Sequence, residues 1–317
     1  MKTVTISTGA RLHFGLVVRG EPGRRRYGGV GLMIDQPGFV LSVRAAEADH
    51  ITASPFTTER IQQFLSNLRQ LDGEPHWEIV VHEEIPAHAG LGSGTQLGLA
   101  LASGIDRLRD DEDCSVMELA RRLQRGVRSS IGTLGFQSGA LITDGGKPAG
   151  SDFAVPTGRH EFPVDWRIVL ITPQDDEGLS GEREKQFFNE SPAMTAVELS
   201  DYCLLICTKL LPALADADFS AFSAAVSRFG QQVGQYFSSH QGGVIANPRM
   251  AALAEKLRVA GIEGVGQTSW GPTLFALCPN AAIGQSVAAD ISKSAQWADC
   301  RVRVVSAKND GARIEVQ

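Results

Sequence analysis

Three glycines spaced two apart in Pro86-Ala-His-Ala-Gly-Leu-Gly-Ser-Gly-Thr-Gln96 stand beside two hydroxyls and just ahead of an apolar helical stretch over 97–105. Gly90, Gly92 and Gly94 permit backbone conformations that a Cβ obstructs, so successive N–H groups can converge on one point. That point is a helix start, which carries about half a positive charge and unpaired donors. With Ser93 and Thr95 adding hydroxyls, the stretch predicts a phosphate cradle; a strand-to-helix turn without a ligand is the simpler alternative. It has neither the GxxxxGK[ST] spacing of a P-loop nor the GxGxxG of a dinucleotide fold.

Other residue types suggest chemistry. Arg11 and His13 interrupt the apolar run Arg11-Leu-His-Phe-Gly-Leu16 and are expected to face a ligand cavity, Arg11 as a forked grip on phosphate or carboxylate. An ion pair for Arg11 and a hydrogen-bonded core position for His13 are the alternatives. Arg128 stands just before a glycine-containing turn and is the functional candidate among Arg121, Arg122, Arg125 and Arg128, the others complementing a helix dipole. In Asp175-Asp-Glu177, Asp175 and Glu177 are candidate Mg²⁺ ligands alongside substrate phosphates, a solvated acidic run being the alternative. Trp270, in Gln267-Thr-Ser-Trp-Gly-Pro272, is either a platform for an aromatic ring or a buried plug.

Alternating elements must position these groups. Residues 4–8 and 39–44 have the β-branched alternation of strands, and Arg19-Gly-Glu-Pro-Gly-Arg-Arg-Arg-Tyr27 reads as a solvated turn. Ile61, Phe64, Leu65 and Leu68 predict an amphipathic helix over 58–71, and a strand over 77–82 delivers the chain to the glycine loop. After a helix over 97–108, Ser115-Val-Met-Glu118 is a capping box with Leu119, Leu123 and Val127 as the buried stripe. Residues 129–146 read as a turn, a short strand and a second turn. The Pro and Gly content of 150–163 marks a connector and divides the chain into domains 1–160 and 161–317. The second half alternates helices over 197–211, 219–237 and 248–261, and later 281–291, with strands over 166–171, 264–268, 273–278 and 302–305.

Composition narrows the function. The 317 residues are 43% hydrophobic, enough for a large core, and the net charge of −6 without a basic domain speaks against nucleic acid. Five cysteines without CxxC pairs read as reduced thiols; Cys203 and Cys207, one helical turn apart, are expected to be buried on an apolar helix face rather than to bind metal. Without a long apolar leader or a membrane-length apolar span, a cytoplasmic protein with no membrane partner is expected.

The glycine loop resembles the PxxxGLGSSA signature of the GHMP small-molecule kinase superfamily through Pro86, Gly90, Leu91, Gly92 and Ser93. The variant Gly94-Thr95-Gln96 is similar to a non-kinase branch, the β-ribofuranosylaminobenzene 5′-phosphate synthases, as are Arg128, Ser130-Ile-Gly132, Asp144-Gly-Gly146 and Gln267–Pro272. Where the kinases read SGxD this chain has Ser130-Ile-Gly-Thr133, and a threonine hydroxyl is no carboxylate base. The resemblance implies a two-domain α+β fold, an N-terminal ribosomal-protein-like domain followed by a ferredoxin-like one. It also implies a synthase that joins phosphoribosyl diphosphate to 4-aminobenzoate with loss of CO₂ and diphosphate, in methanopterin biosynthesis. The candidate set is then Arg11, His13 and Arg128 as catalytic residues; Gly90, Gly92, Ser93, Gly94, Thr95, Gln96, Ser130, Gln267, Ser269 and Trp270 against phosphate or substrate; and Asp175 and Glu177 on Mg²⁺. A homodimer is the expected assembly. An ATP-dependent kinase with another base, such as Asp144, is the alternative.

Overall fold

The computed structural model describes residues 2–17, 25, 28–72, 75–109, 114–126, 129–148, 150–174 and 194–317. In its first strand, β1 (Thr3–Ser7), Val4 and Ile6 are buried and the residues between them only half so, the two-residue period of a strand with one face on the core. β1 belongs to a five-stranded sheet ordered β13 (Arg313–Val316), β1, β4 (Val40–Ala46), β6 (His76–Glu83), β5 (His50–Thr52), antiparallel except between β5 and β6. A second sheet, β2 (Ala10–Val17), β3 (Gly28–Ile34), β7 (Leu141–Asp144), β8 (Pro156–His160), is antiparallel throughout. The third sheet, in the second half, is ordered β10 (Val265–Gln267), β11 (Leu274–Cys278), β9 (Arg167–Pro173), β12 (Cys300–Val305).

Helix α1 (Pro55–Asp72) buries the predicted Ile61, Phe64, Leu65 and Leu68. Helix α2 (Ser93–Leu108) begins inside the glycine loop, with Gly92 as its N-cap at φ 77°, and packs on β1 and β4. Helix α3 (Val116–Arg122) starts as its sequence predicts: the Ser115 hydroxyl accepts from the Glu118 N–H at 3.2 Å, and Leu119 and Leu123 are buried. Val127 lies outside the described residues, as does most of the expected Arg19–Tyr27 turn. In the second half, Phe219–Gln241 and Ala281–Lys293 are helices, and Asn247 caps a third, Pro248–Val259, by accepting from Met250 N.

Four features depart from the sequence reading. The segment expected to be a turn is helix α4 (Ile131–Ser138); its glycines lower helix propensity but admit close packing, since a Cβ at Gly135 would run into the Met33 side chain. Strand β8 lies within the supposed connector, and its exposed edge residues leave no apolar alternation to detect. β13 returns to the first sheet, so the second half of the chain supplies a strand to the first. The helix expected over 197–211 runs from Ala196 to Leu205, continues through a π-turn (Ile206–Leu210) and turns its Tyr202–Leu205–Leu210 side inward, leaving Cys203 and Cys207 exposed.

The two halves meet along the Phe219–Gln241 helix, which packs on both β2 and β10. β2 carries a bulge between His13 and Gly15, and a Cβ at Gly15 would lie 2.6 Å from Val233 Cγ2 and 2.7 Å from Phe229 Cε1. Glycine at that bulge lets the helix reach the strand. Gly31 plays a similar part opposite α4, where a Cβ would come within 2.6 Å of both Ile131 Cγ2 and the Leu12 carbonyl oxygen. Gly31→Ala should therefore destabilise by about 1–3 kcal/mol of overpacking. Relief of the usual glycine penalty alone would instead stabilise by about 0.5–1 kcal/mol. Chemical denaturation of the variant decides the sign.

Candidate functional site

A cleft of about 540 Å³ is lined by the glycine loop, β2, the 267–271 turn, α1, residues 124–126 and 129, and the Phe219–Gln241 helix. The loop's shape follows from its glycines. Gly90 and Gly92 both sit at φ +77°, and a Cβ on Gly90 would come within 2.7 Å of Gly271 Cα and 2.5 Å of the Thr268 carbonyl oxygen. The backbones of the two motifs are thus in direct contact. The Thr268 hydroxyl fixes that contact: it donates to the Gly90 carbonyl at 3.1 Å and accepts from the His13 N–H at 3.0 Å. Ser93, Gly94 and Thr95 open onto the cleft at the start of α2, where the first-turn N–H groups have no carbonyl four residues back.

Arg11 and His13 both face the cleft from β2. Arg11 donates from its backbone N–H to the Leu91 carbonyl at 3.0 Å and from Nη1 to the Gly90 carbonyl at 3.3 Å, which ties it to the glycine loop. The His13 ring shares a 3.0 Å hydrogen bond between Nε2 and the Ser129 hydroxyl, and Gly29 leaves room for the imidazole. Burial, joined by the Arg11 guanidinium, holds the His13 pKa well below its ordinary value, so the ring is neutral near pH 7. Gln267 lines the cleft but spends its amide internally, accepting from Ala246 N at 2.8 Å and donating to the Ser269 carbonyl at 3.0 Å. Ser269, at φ +54°, donates its N–H to the His13 carbonyl. Trp270 is buried, as the plug alternative expected: only 9% exposed, it packs edge-on against Phe237 at 4.6 Å and beside Leu16, and it lines the cleft.

Gln96 and Ser130 lie behind the cleft. Gln96 is fully buried and donates to the Gly132 carbonyl at 2.8 Å, joining α2 to α4. The buried Ser130 hydroxyl accepts from Ala154 N at 2.9 Å. Thr133 is likewise fully buried and does not line the cleft, nor does Asp144, whose carboxylate accepts backbone N–H groups from Gly146, Ser130 and Gly29. Burial outweighs those donors and raises the Asp144 pKa to about 7. Arg128, Asp175 and Glu177 lie outside the described residues.

Two arginines that the sequence reading passed over enter the site. A Cβ on Gly94 would lie 3.3 Å from Arg60 Nη2 and 3.6 Å from Arg125 Nη1. Arg60 sits on the polar face of an amphipathic helix and Arg125 in an arginine run, so periodicity assigns both to solvent. With Arg11 and Arg258 they make four cleft arginines, and the described lining includes no aspartate or glutamate. Such a surface attracts a polyanion and offers no carboxylate base.

Residues 59–137 match the family described as GHMP kinases N terminal domain, and 210–295 match GHMP kinases C terminal. The chain is 30% identical to a β-ribofuranosylphenol 5′-phosphate synthase of Archaeoglobus fulgidus, over 98% of this chain and 99% of that one. It is 28% identical to a protein of the same name from Methanothermobacter thermautotrophicus, over 86% and 88%. Mevalonate diphosphate decarboxylase from Staphylococcus aureus shares the fold with a TM-score of 0.66 at 13% identity, over 99% and 98% of the two chains.

The neutral buried imidazole has a measurable consequence. An unfolded chain protonates a histidine near pH 6.5, whereas native His13 does so only well below, so the unfolded state binds the extra proton in between. The stability contributed at this position is full above about pH 6.5 and declines as pH falls. His13→Gln should flatten that acid limb in denaturation midpoints from pH 7.5 to 5; superimposable wild-type and variant limbs would refute a neutral His13.

Proposed function

Because the chain belongs to the GHMP superfamily, in the family of the β-ribofuranosylphenol 5′-phosphate synthases, we propose that its cleft binds phosphoribosyl diphosphate and joins the ribose to a 4-substituted benzoate with loss of CO₂ and diphosphate. The observation that carries this reading is the described lining, rich in arginine and without a carboxylate among its described residues, wrapped around a glycine loop at a helix start. The relatives' name favours a hydroxyl at the 4-position, whereas the resemblance of the sequence motifs implies 4-aminobenzoate. The same reading includes a place in methanopterin biosynthesis, a cytoplasmic location and a homodimer. No helix among the described residues is long and apolar enough to cross a membrane.

The reaction explains why such a cleft would suffice. The bond from the anomeric carbon to diphosphate breaks, leaving an oxocarbenium-like centre, and the ring carbon bearing the carboxylate attacks it. The carbon–carboxylate bond then breaks, CO₂ departs and its electron pair restores the aromatic ring. Carbon dioxide leaves where a proton otherwise would, so no protein base is consumed and no covalent enzyme intermediate is needed. The chain must stabilise the departing diphosphate, align two carbons and exclude water. Arg11 and the Ser93 N–H and hydroxyl are placed for the first task. Leu16, Val233, Phe237 and Trp270 give the arene an apolar wall. The neutral His13 adds a polar group beside the reacting centre without a second cation.

Mg²⁺ would supply further charge neutralisation on the diphosphate. The described cleft residues offer it hydroxyls rather than carboxylates, and no cluster of three His, Cys, Asp or Glu side chains suited to a metal occurs among the described residues. The Mg²⁺ reading therefore rests on Asp175 and Glu177.

Carboxyl-labelled 4-hydroxybenzoate or 4-aminobenzoate should release labelled CO₂ and diphosphate in equal amounts, only with phosphoribosyl diphosphate present. ATP-dependent ADP formation with neither product would replace this reading with a kinase. Thr133 gives a second check. Its buried hydroxyl has no hydrogen-bond partner in the structure, so Thr133→Val should leave stability within about 1 kcal/mol. Thr133→Asp would bury an unpaired charge and should cost about 3 kcal/mol or more without conferring ADP formation. A stable, ATP-hydrolysing Asp variant would restore the kinase alternative.

A further inference from the structure

We infer that Arg60 and Arg125 form a phosphate clamp at the Gly94 end of the cleft, and that it holds the 5′-phosphate common to substrate and product while the Arg11 end takes the diphosphate. This inference rests on the proposed reaction. The two guanidinium groups come from different elements, α1 and the segment after α3, yet converge beside one glycine, within 3.3 and 3.6 Å of the place a Cβ would occupy. Both also lie over the same buried ring: the Arg125 and Arg60 guanidinium carbons are 5.0 and 5.9 Å from the Phe64 centroid. A cation over an aromatic face is favourable, so Phe64 gives both arginines a common floor.

Two like charges so close repel each other, and the start of α2 adds a third positive potential. Arg60 Nη1 is braced by the neutral Gln63 amide, donating at 3.2 Å. An anion seated between the two forks turns this repulsion into attraction, and a phosphate with three terminal oxygens suits two forked donors. Gly94 leaves the cleft wall beside both guanidinium groups free of a side chain, and all three residues line the same cleft.

The chemistry of the reading decides which phosphate sits there. The arene must meet the carbon that loses diphosphate, and the apolar wall of Leu16, Phe237 and Trp270 adjoins the Gly90 end, where Gly90 touches Gly271. Diphosphate and arene therefore share the end that holds Arg11. The phosphate left over is the one carried on the far side of the ribose, which reaches toward Gly94.

Calorimetric titration of the full chain with ribose 5-phosphate and, separately, with inorganic diphosphate tests this. Arg60→Ala and Arg125→Ala should each weaken ribose 5-phosphate binding at least tenfold and change diphosphate affinity less than threefold. Arg60→Lys, which keeps the charge but loses the fork, should fall between wild type and Arg60→Ala; thermal midpoints of all variants check that they fold. Loss of diphosphate affinity with intact ribose 5-phosphate binding would overturn the assignment of ends, and unchanged affinity for both ligands would overturn the clamp. The proposed reaction is scored separately: turnover with unchanged ribose 5-phosphate affinity in the alanine variants sinks only the clamp. Selective loss in a chain that releases no CO₂ supports the clamp and sinks only the synthase reading.

Discussion

One hydroxyl holds three distant parts of the chain in register. Thr268 is fully buried, accepts the N–H of His13 and donates to the carbonyl of Gly90, while its own backbone is held by Thr273 and Gly271. A hydroxyl is both donor and acceptor, so one side chain satisfies a strand N–H and a loop carbonyl that would otherwise be buried unpaired, each at a cost of about 1–3 kcal/mol. The Gly90 carbonyl also accepts from Arg11 Nη1, and Ser269 N–H closes on the His13 carbonyl. Glycine loop, β2 and the 267–271 turn therefore move as one body. The glycine contacts at 90 and 271 add steric exclusion to the hydrogen bonds.

Around that fixed centre the described cleft lining accumulates positive charge and includes no acidic residue. Arg11 is held by a carbonyl, Arg60 and Arg125 by an aromatic ring, and Arg258 donates to the Val265 carbonyl. Carbonyls and rings orient a guanidinium through dipole and quadrupole, so the described lining presents a positive field to a ligand, moderated at Arg258 by the Glu255 carboxylate 3.7 Å away. A synthase whose leaving groups are diphosphate and carbon dioxide requires that field and no base. The same scaffold arranged for phosphoryl transfer would need a carboxylate at the acceptor hydroxyl, and both candidate positions, Thr133 and Asp144, face the interior instead.

The sequence made the glycine loop legible because positive φ and helix initiation leave a direct trace in residue type, and the amphipathic stripe of α1 and the capping residues Ser115 and Asn247 were legible for the same local reason. What escaped depends on partners remote in the chain. Helix α4 reads as a turn because its glycines answer to Met33 and to the strand beneath rather than to helix propensity. Arg60 draws no notice on α1 and Arg125 reads as a helix-dipole partner, since local pattern does not report that two side chains from separate elements converge on a third. Gln96 and Ser130 sit within functional motifs, yet a one-residue step along a helix or turn changes a side chain's direction, and both ended in the interior. Cys203 and Cys207 follow the same logic in reverse: the stripe lies one position over, through Tyr202, Leu205 and Leu210.

Strand β13 has a consequence for how the molecule comes into being. It pairs with β1 residue for residue, Val4 against Val316 through Ser7 against Arg313, and flanking backbone bonds join Thr3 to Gln317 in both directions. On a ribosome the first of these strands emerges long before the second. Until then β1 presents an unpaired edge, the kind of surface that templates pairing with another chain. Closure of this sheet waits on the whole intervening polypeptide, so the slowest and most aggregation-exposed interval of biogenesis should fall between synthesis of the glycine loop and arrival of residues 313–316.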